Sequence, residues 1–363
     1  MTTNSNKHYK FDRSSYYASC TQYELLADEK LDQSTSIIIS GYDASMKVRG
    51  GSLVLTFKKA HKQDENEIIT LDRAVHGIST IILICDGGFI TIDALEWCIQ
   101  QNITVYLMKW TGELLQVLTP KQSSQAKLVY KQYLASQSDR GFIISIEIIR
   151  QKTYSQIETL ASCHFLNDAP KSLQLLRQGI DDLDTVSKVE SLLGFEGSMA
   201  NIYFNAFVGY PIQFDKRAVN AVPVHWKSIS TRKNTLLLPV GVGRSAINPF
   251  HATLNYAYAL LGAQILQEII SRGFDPTIAF LHSYNKDRNS LVYDLMEPFR
   301  PMVDKMVFSF FQSTVFKRGD FYQTLDGSCR LNEQLRRFVV ASFRIEQKHL
   351  AQKVQWLKNM VLL

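Results

Sequence analysis

Four side chains stand out because their types and surroundings suit metal chemistry. Glu196 lies in Leu192-Leu193-Gly194-Phe195-Glu196-Gly197-Ser198, an acid behind apolar residues in a helical pattern. His282 closes the apolar run Ile278-Ala279-Phe280-Leu281. Asp294 and Glu297 are three apart among Leu291, Val292, Tyr293, Leu295, Met296 and Phe299, so one helix face can present both. Burying a carboxylate in such company without a partner is costly. A divalent cation resolves that cost. One histidine with two or three carboxylates is a hard, oxygen-rich set, better suited to Mg²⁺ or Mn²⁺ than to structural zinc. Such a site can activate a hydroxyl or water and stabilise charge on a phosphodiester oxygen. Taken singly, His282 also reads as a core or capping histidine, and Asp294 and Glu297 as a solvated helix face. Spacing alone does not join Glu196 to the others.

The elements that must carry these residues fall into two kinds. Up to about residue 120 the pattern is mainly β. Ser36–Ser40 and Ala44–Val48 lead to the turn Arg49-Gly50-Gly51, and Ser52–Thr56 returns. Ile68–Leu71 and Thr80–Cys85 are further strands, with Gly87-Gly88 read as a hairpin turn. Ile92–Gln100 has helical spacing behind the capping candidate Thr91, and Ile103–Met108 and Leu114–Leu118 are strands. Beyond Pro120 the periodicity is helical: around Leu128–Leu134, then Ile143–Leu160, Ser172–Leu176, Ser187–Val208, Asn248–Arg272, Leu291–Phe299 and Asn332–Leu362. Pro249 suits the first turn of its helix, and Gly273 the position just past its end. The predicted organisation is an extension over 1–35 with a possible helix at Gln22–Leu31, a β-rich domain over 36–120, and an α-helical domain over 121–363. The fold class is α+β.

The 363 residues are 45 % hydrophobic and 20 % charged, ordinary values that exclude a disordered or collagen-like chain. Five scattered cysteines without a CxxC pair argue against a disulfide scaffold or thiolate zinc site. The polar start reads as no signal peptide, and no apolar run approaches the roughly 18 residues of a membrane span. A cytoplasmic protein is the expectation. The net charge is only +6, yet its distribution is uneven. From Lys216 through Gln267 there is no acid, while Lys216, Arg217, Lys227, Arg232, Lys233 and Arg244 supply six bases. The first half of that window reads as an electropositive track for a phosphate backbone. A charge-free buried helix explains the second half without any ligand.

The same residues carry a resemblance. Leu192–Ala200 (LLGFEGSMA) resembles a helix motif of the CRISPR-associated protein 1 family. Ala246–Leu261 (AINPFHATLNYAYALL), Gly273–His282 (GFDPTIAFLH) and Ser290–Asp304 (SLVYDLMEPFRPMVD) resemble three further motifs, in the family's order. The segments SGYDASMKVRGGSLVL and GGFITIDALEWCIQQNITVYLM resemble its β-rich domain, so the likeness covers roughly residues 36–350. It implies catalytic metal ligands at Glu196, His282 and Glu297, with Asp294 a supporting or alternate carboxylate, and Mg²⁺ or Mn²⁺ as cofactor. It implies a DNA integrase and endonuclease that inserts protospacer DNA into a CRISPR array by 3′-hydroxyl transesterification. The implied partners are prespacer and repeat DNA, a second copy in a homodimer through the β-rich domain, and a small second CRISPR-associated protein, with no membrane. Arg300 is a phosphate-clamp or ligand-orienting candidate, with a salt bridge to Asp304 or Asp294 as its plainer role. His251 stands where the family usually has Asn and would add an imidazole facing DNA. No obvious helix-turn-helix precedes Leu363, which weighs against a casposase, the transposon-borne relative that typically carries one. A casposase-like integrase, a stand-alone metal-dependent DNase and a non-catalytic DNA-binding scaffold are the alternatives.

Overall fold

The computed structural model describes residues 36–58, 66–73, 76–109, 114–120, 125–163, 166, 168–216, 220–231, 246–282, 289–324, 327–343 and 345–363. The expected helix at Gln22–Leu31 lies outside them, as do Arg217, Arg232, Lys233 and Arg244 of the basic track.

Six strands form one mixed sheet: β1 (Ser36–Arg49), β2 (Ser52–Lys58), β3 (Asn66–Leu71), β4 (Thr80–Ile90), β5 (Thr104–Met108) and β6 (Leu114–Leu118), in the order β3-β2-β1-β4-β5-β6. β1 runs antiparallel to β2 and parallel to β4. β4 and β5 are parallel and joined by α1 (Ile92–Gln100), the crossover that a parallel pair requires. Thr91 caps α1 as expected, accepting from the Ala94 amide at 3.3 Å.

The sheet is covered on both faces, and this explains its near-continuous apolar strands. Ile81, Leu83 and Val105 pack with Ala94, Trp97 and Cys98 of α1. Their neighbours Ile82, Ile84, Tyr106 and Met108 face the other way, into the core shared with the helices. Trp97 donates to the Gly51 carbonyl at 2.8 Å and holds α1 against the β1–β2 turn.

Gly87-Gly88 is not a hairpin turn. β4 runs through it to Ile90, still paired with β1. Both glycines have positive φ, and a Cβ on Gly88 would lie 2.0 Å from the Ala44 carbonyl oxygen. The pair lets two backbones approach within a strand, a role that in sequence looks the same as a turn.

The rest is helical: α2 (Ala126–Ser136), α3 (Asp139–Ala161), α4 (Ala169–Leu183), α5 (Val189–Asn205), α6 (Pro249–Ser271), α7 (Ser290–Met296), a 3₁₀ turn (Glu297–Phe299), α8 (Arg300–Ser313), α9 (Glu333–Ser342) and α10 (Gln347–Leu362). The expected helix at Asn332–Leu362 is two helices, broken around Phe343. A small antiparallel hairpin, β7 (Phe321–Gln323) and β8 (Cys329–Leu331), lies among the helices. The α+β reading stands.

α6 is buried around most of its circumference, as a helix apolar on all sides must be. Asn248 caps it by accepting from the His251 amide at 2.9 Å, Pro249 opens it, and Gly273 follows it at φ 83°. Gln267 near its end takes the Tyr106 hydroxyl and donates to Thr104 at 3.2 Å, fixing the helix to β5. Among the described residues no helix is long and apolar enough to cross a membrane.

Candidate metal centre

Four elements bring the chemistry together. α5 presents Glu196, the 3₁₀ turn presents Glu297, the segment after α6 presents His282, and α3 supplies Lys152.

Lys152 is the residue that motif reading missed. Its side chain is 8 % exposed, and its ammonium lies between the two carboxylates, paired with Glu196 and 2.5 Å from Glu297 Oε2. Ile148, Ile149, Lys152 and Gln156 share the buried face of α3. That helical spacing is the signal that could have flagged it: a lysine where an apolar residue belongs.

Glu297 is held from two sides, since Arg300 Nε stands 3.0 Å from its Oε1. Arg300 therefore pairs with Glu297 and not with Asp304 or Asp294. Its guanidinium also lies 4.7 Å from the centre of the Tyr258 ring. The Tyr258 hydroxyl in turn donates to Asp304.

Burial opposes charge on Glu297, but Lys152 and Arg300 outweigh it and bring its pKa from 4.5 down to about 2. Burial likewise opposes charge on Lys152, and Glu297 and Glu196 overcome it to raise that pKa. Because the folded pKa of Glu297 is depressed, its contribution to stability is present above pH 4.5 and is lost as pH falls toward 2. Acid melts of the wild type and Glu297→Gln will show it. The wild type loses stability through this window, and the variant lacks that part of the loss. Parallel acid limbs would refute the assignment.

His282 is oriented by Asp294, which is fully buried. Asp294 Oδ2 accepts from the amides of Phe280 at 2.7 Å and Leu281 at 3.0 Å. Oδ1 accepts from the His282 amide at 3.0 Å and from His282 Nδ1 at 2.7 Å. With its proton on Nδ1, the ring keeps Nε2 as the lone-pair nitrogen. Both oxygens of Asp294 are thus engaged, and one of them anchors the His282 ring. The segment leading to His282 is pinned further back. Gln132 of α2 donates to the carbonyls of Asp275 at 2.8 Å and Ile278 at 2.7 Å and accepts from the Asp275 amide.

The donor chemistry fits a divalent cation. Glu297 Oε2 is buried and, although close to the ammonium, makes no well-aligned hydrogen bond. Glu196 is another carboxylate on the same cation position, and His282 offers an anchored imidazole. As placed, no three His, Cys, Asp or Glu side chains among the described residues are close enough together to hold an ion. Lys152 takes the space between the carboxylates.

The other predicted residues are placed differently. His251 is 5 % exposed, and its Nε2 donates to the Ser230 carbonyl at 2.7 Å. With its imidazole buried against that carbonyl, it does not present the outward-facing ring expected from the sequence; only its backbone amide serves the cap of α6. Lys227 follows a short 3₁₀ turn (Val224–Trp226) and is half-buried.

Gly194 and Gly197 flank Glu196 inside α5, and a Cβ at either would meet nothing within 4 Å. Gly179, by contrast, is closely covered: a Cβ there would meet the Met199 sulfur at 2.4 Å. Glycine inside a helix costs about 0.5–1 kcal/mol relative to alanine. Packing within the chain accounts for Gly179 but not for Gly194 or Gly197.

A mixed sheet packed on a helical body thus carries two carboxylates on one ammonium and an aspartate-anchored histidine. Comparison with known proteins gives the family. The model of the CRISPR associated protein Cas1 family matches residues 37–222 and 228–344, and the chain belongs to that family. A CRISPR-associated protein Cas1 of Methanobrevibacter ruminantium is 28 % identical over 78 % of this chain and 80 % of its own. A CRISPR-associated endonuclease Cas1 of Korarchaeum cryptofilum is 27 % identical over 76 % and 77 %. Among solved structures, a casposase bound to integration product superposes with a TM-score of 0.73 at 25 % identity, covering 90 % of both chains. A CAS1 protein from Thermotoga maritima gives 0.70 at 17 % identity, covering 90 % of this chain and 96 % of that one.

Proposed function

We propose that this chain is a metal-dependent DNA integrase of CRISPR adaptation. It joins the 3′-hydroxyl of protospacer DNA to a phosphodiester at the repeat boundary, forming one P–O bond as another breaks. The observation that carries the reading is the pairing of Glu196 and Glu297 on one ammonium, with the Asp294-anchored His282 in electrostatic reach of Glu297, in a chain of the Cas1 family. When bound, Mg²⁺ or Mn²⁺ held by Glu196, His282 and Glu297 would lower the pKa of the attacking hydroxyl and polarise the phosphodiester oxygen. Asp294 keeps the His282 proton on Nδ1, which leaves Nε2 as the nitrogen that would face a cation. Arg300 holds Glu297 in place. Glu196 is 26 % exposed and so open to a DNA backbone, and the acid-free window from Lys216 supplies positive charge. Water in place of the hydroxyl gives endonuclease activity at the same centre.

The working form in this reading is a cytoplasmic homodimer joined through the β-rich region and bridged by a small second CRISPR-associated protein. A Cas6-RT-Cas1–Cas2 complex contains a chain of this fold, with a TM-score of 0.67 at 22 % identity. The likeness to a casposase bound to integration product favours a second reading, a transposon-type integrase.

The deciding assay mixes the protein with a supercoiled repeat-bearing plasmid and a short duplex in Mn²⁺, with and without the small partner. Joined products at the repeat ends are expected, and none with EDTA or with duplex lacking its 3′-hydroxyls. Joining that needs only terminal-inverted-repeat DNA selects the casposase-like reading. DNA binding indifferent to EDTA, with no joining or cutting, would leave a scaffold.

A further inference from the structure

We propose that Lys152 is a built-in competitor for the cation position: its ammonium holds Glu196 and Glu297 together, and a divalent ion must displace it to bind. The inference rests on reading those glutamates and His282 as ligands.

Two carboxylates face two cations, Lys152 and Arg300. The Lys152 ammonium occupies the position between the carboxylates, and a divalent ion cannot share it, because two cations in contact across the same oxygens repel strongly in a poorly solvated interior. One cation must give way.

Geometry selects which one. Arg300 is fixed by Glu297 on one side and by the Tyr258 ring on the other. Lys152 is a compact charge on a flexible stem, with no aromatic ring among the described residues to hold it. Glu196, its other partner, is 26 % exposed, so the way out passes that residue toward solvent. Lys152 therefore satisfies the two carboxylates until metal arrives and sets the concentration at which metal succeeds.

The test is Mn²⁺ binding to the full-length protein, followed by electron paramagnetic resonance of the free ion. Lys152→Met keeps the apolar stem and removes the charge. It is expected to bind Mn²⁺ about tenfold more tightly than wild type, since a competing ion has been removed. In EDTA it melts below wild type, and saturating Mn²⁺ narrows the gap. Lys152→Gln, which keeps a hydrogen-bond donor, serves if the methionine variant does not fold. Acylation of lysines read by mass spectrometry needs no variant: Lys152 is expected to react faster in Mn²⁺ than in EDTA. Equal Mn²⁺ affinity in wild type and both variants, or equal protection of Lys152 with and without Mn²⁺, would overturn the proposal. Loss of binding in Glu297→Gln alongside an unchanged Lys152→Met would remove the role of Lys152 and keep the ligand assignment. Absence of Mn²⁺ binding in wild type would overturn both.

Discussion

Glu196→Ala and His282→Ala are each expected to lower strand transfer into repeat DNA by about 10³-fold or more, the scale of losing a main stabiliser of transition-state charge. The fold should survive both. Glu196 is 26 % exposed on a helix surface, and Lys152 keeps Glu297 as a partner when it is gone. The side chain of His282 is 38 % exposed, and its removal leaves Asp294 three backbone amides. The measurement pairs initial rates of joining in Mn²⁺ with thermal melts. Full activity in both variants would sink the site assignment. Collapse of both melting curves would show scaffolding in place of catalysis.

Asp294→Asn is expected to do the reverse: large damage to structure with partial loss of chemistry. Four donors converge on the Asp294 carboxylate. Asparagine offers one oxygen, and its amide would face two of those donors with hydrogens of its own. A fully buried group left unsatisfied in this way costs about 3 kcal/mol. His282 would also lose the acceptor that keeps its proton on Nδ1, and second-layer changes of this kind weaken metal binding or activity by about 10–100-fold. Chemical denaturation and Mn²⁺ affinity read the two effects separately. A variant with wild-type stability and affinity would show that Asp294 does not aim the histidine.

The ligand candidates were legible because acids and a histidine stood in apolar company, where solvation could not explain them. Lys152 was not, although the same reasoning applies to it. A lysine in a helix reads as solvated surface unless its register with Ile148 and Ile149 is followed. α8 was missed for a related reason: Pro298 and Pro301 look like breakers, yet each sits in the first turn of its own helical segment, where a missing amide proton costs nothing. The break near Phe343 carries no glycine or proline to announce it, and β7 and β8 are each three residues long, too short for alternation to register. His251 shows the opposite error. A polar residue in a motif was read as a DNA contact, while its ring is buried against the Ser230 carbonyl.

The position of Lys152 also constrains the order in which the chain can finish folding. α3 is made early in synthesis, while Glu297 follows only after four further helices and the His282 segment. Glu196 arrives with α5 and can take the ammonium first, so a chain that stops short of Glu297 encloses one carboxylate with one ammonium. Contacts as distant in sequence as Lys152 and Glu297 form slowly. The closing of that second pair is then a late step, and it turns a paired ammonium into one shared by two carboxylates.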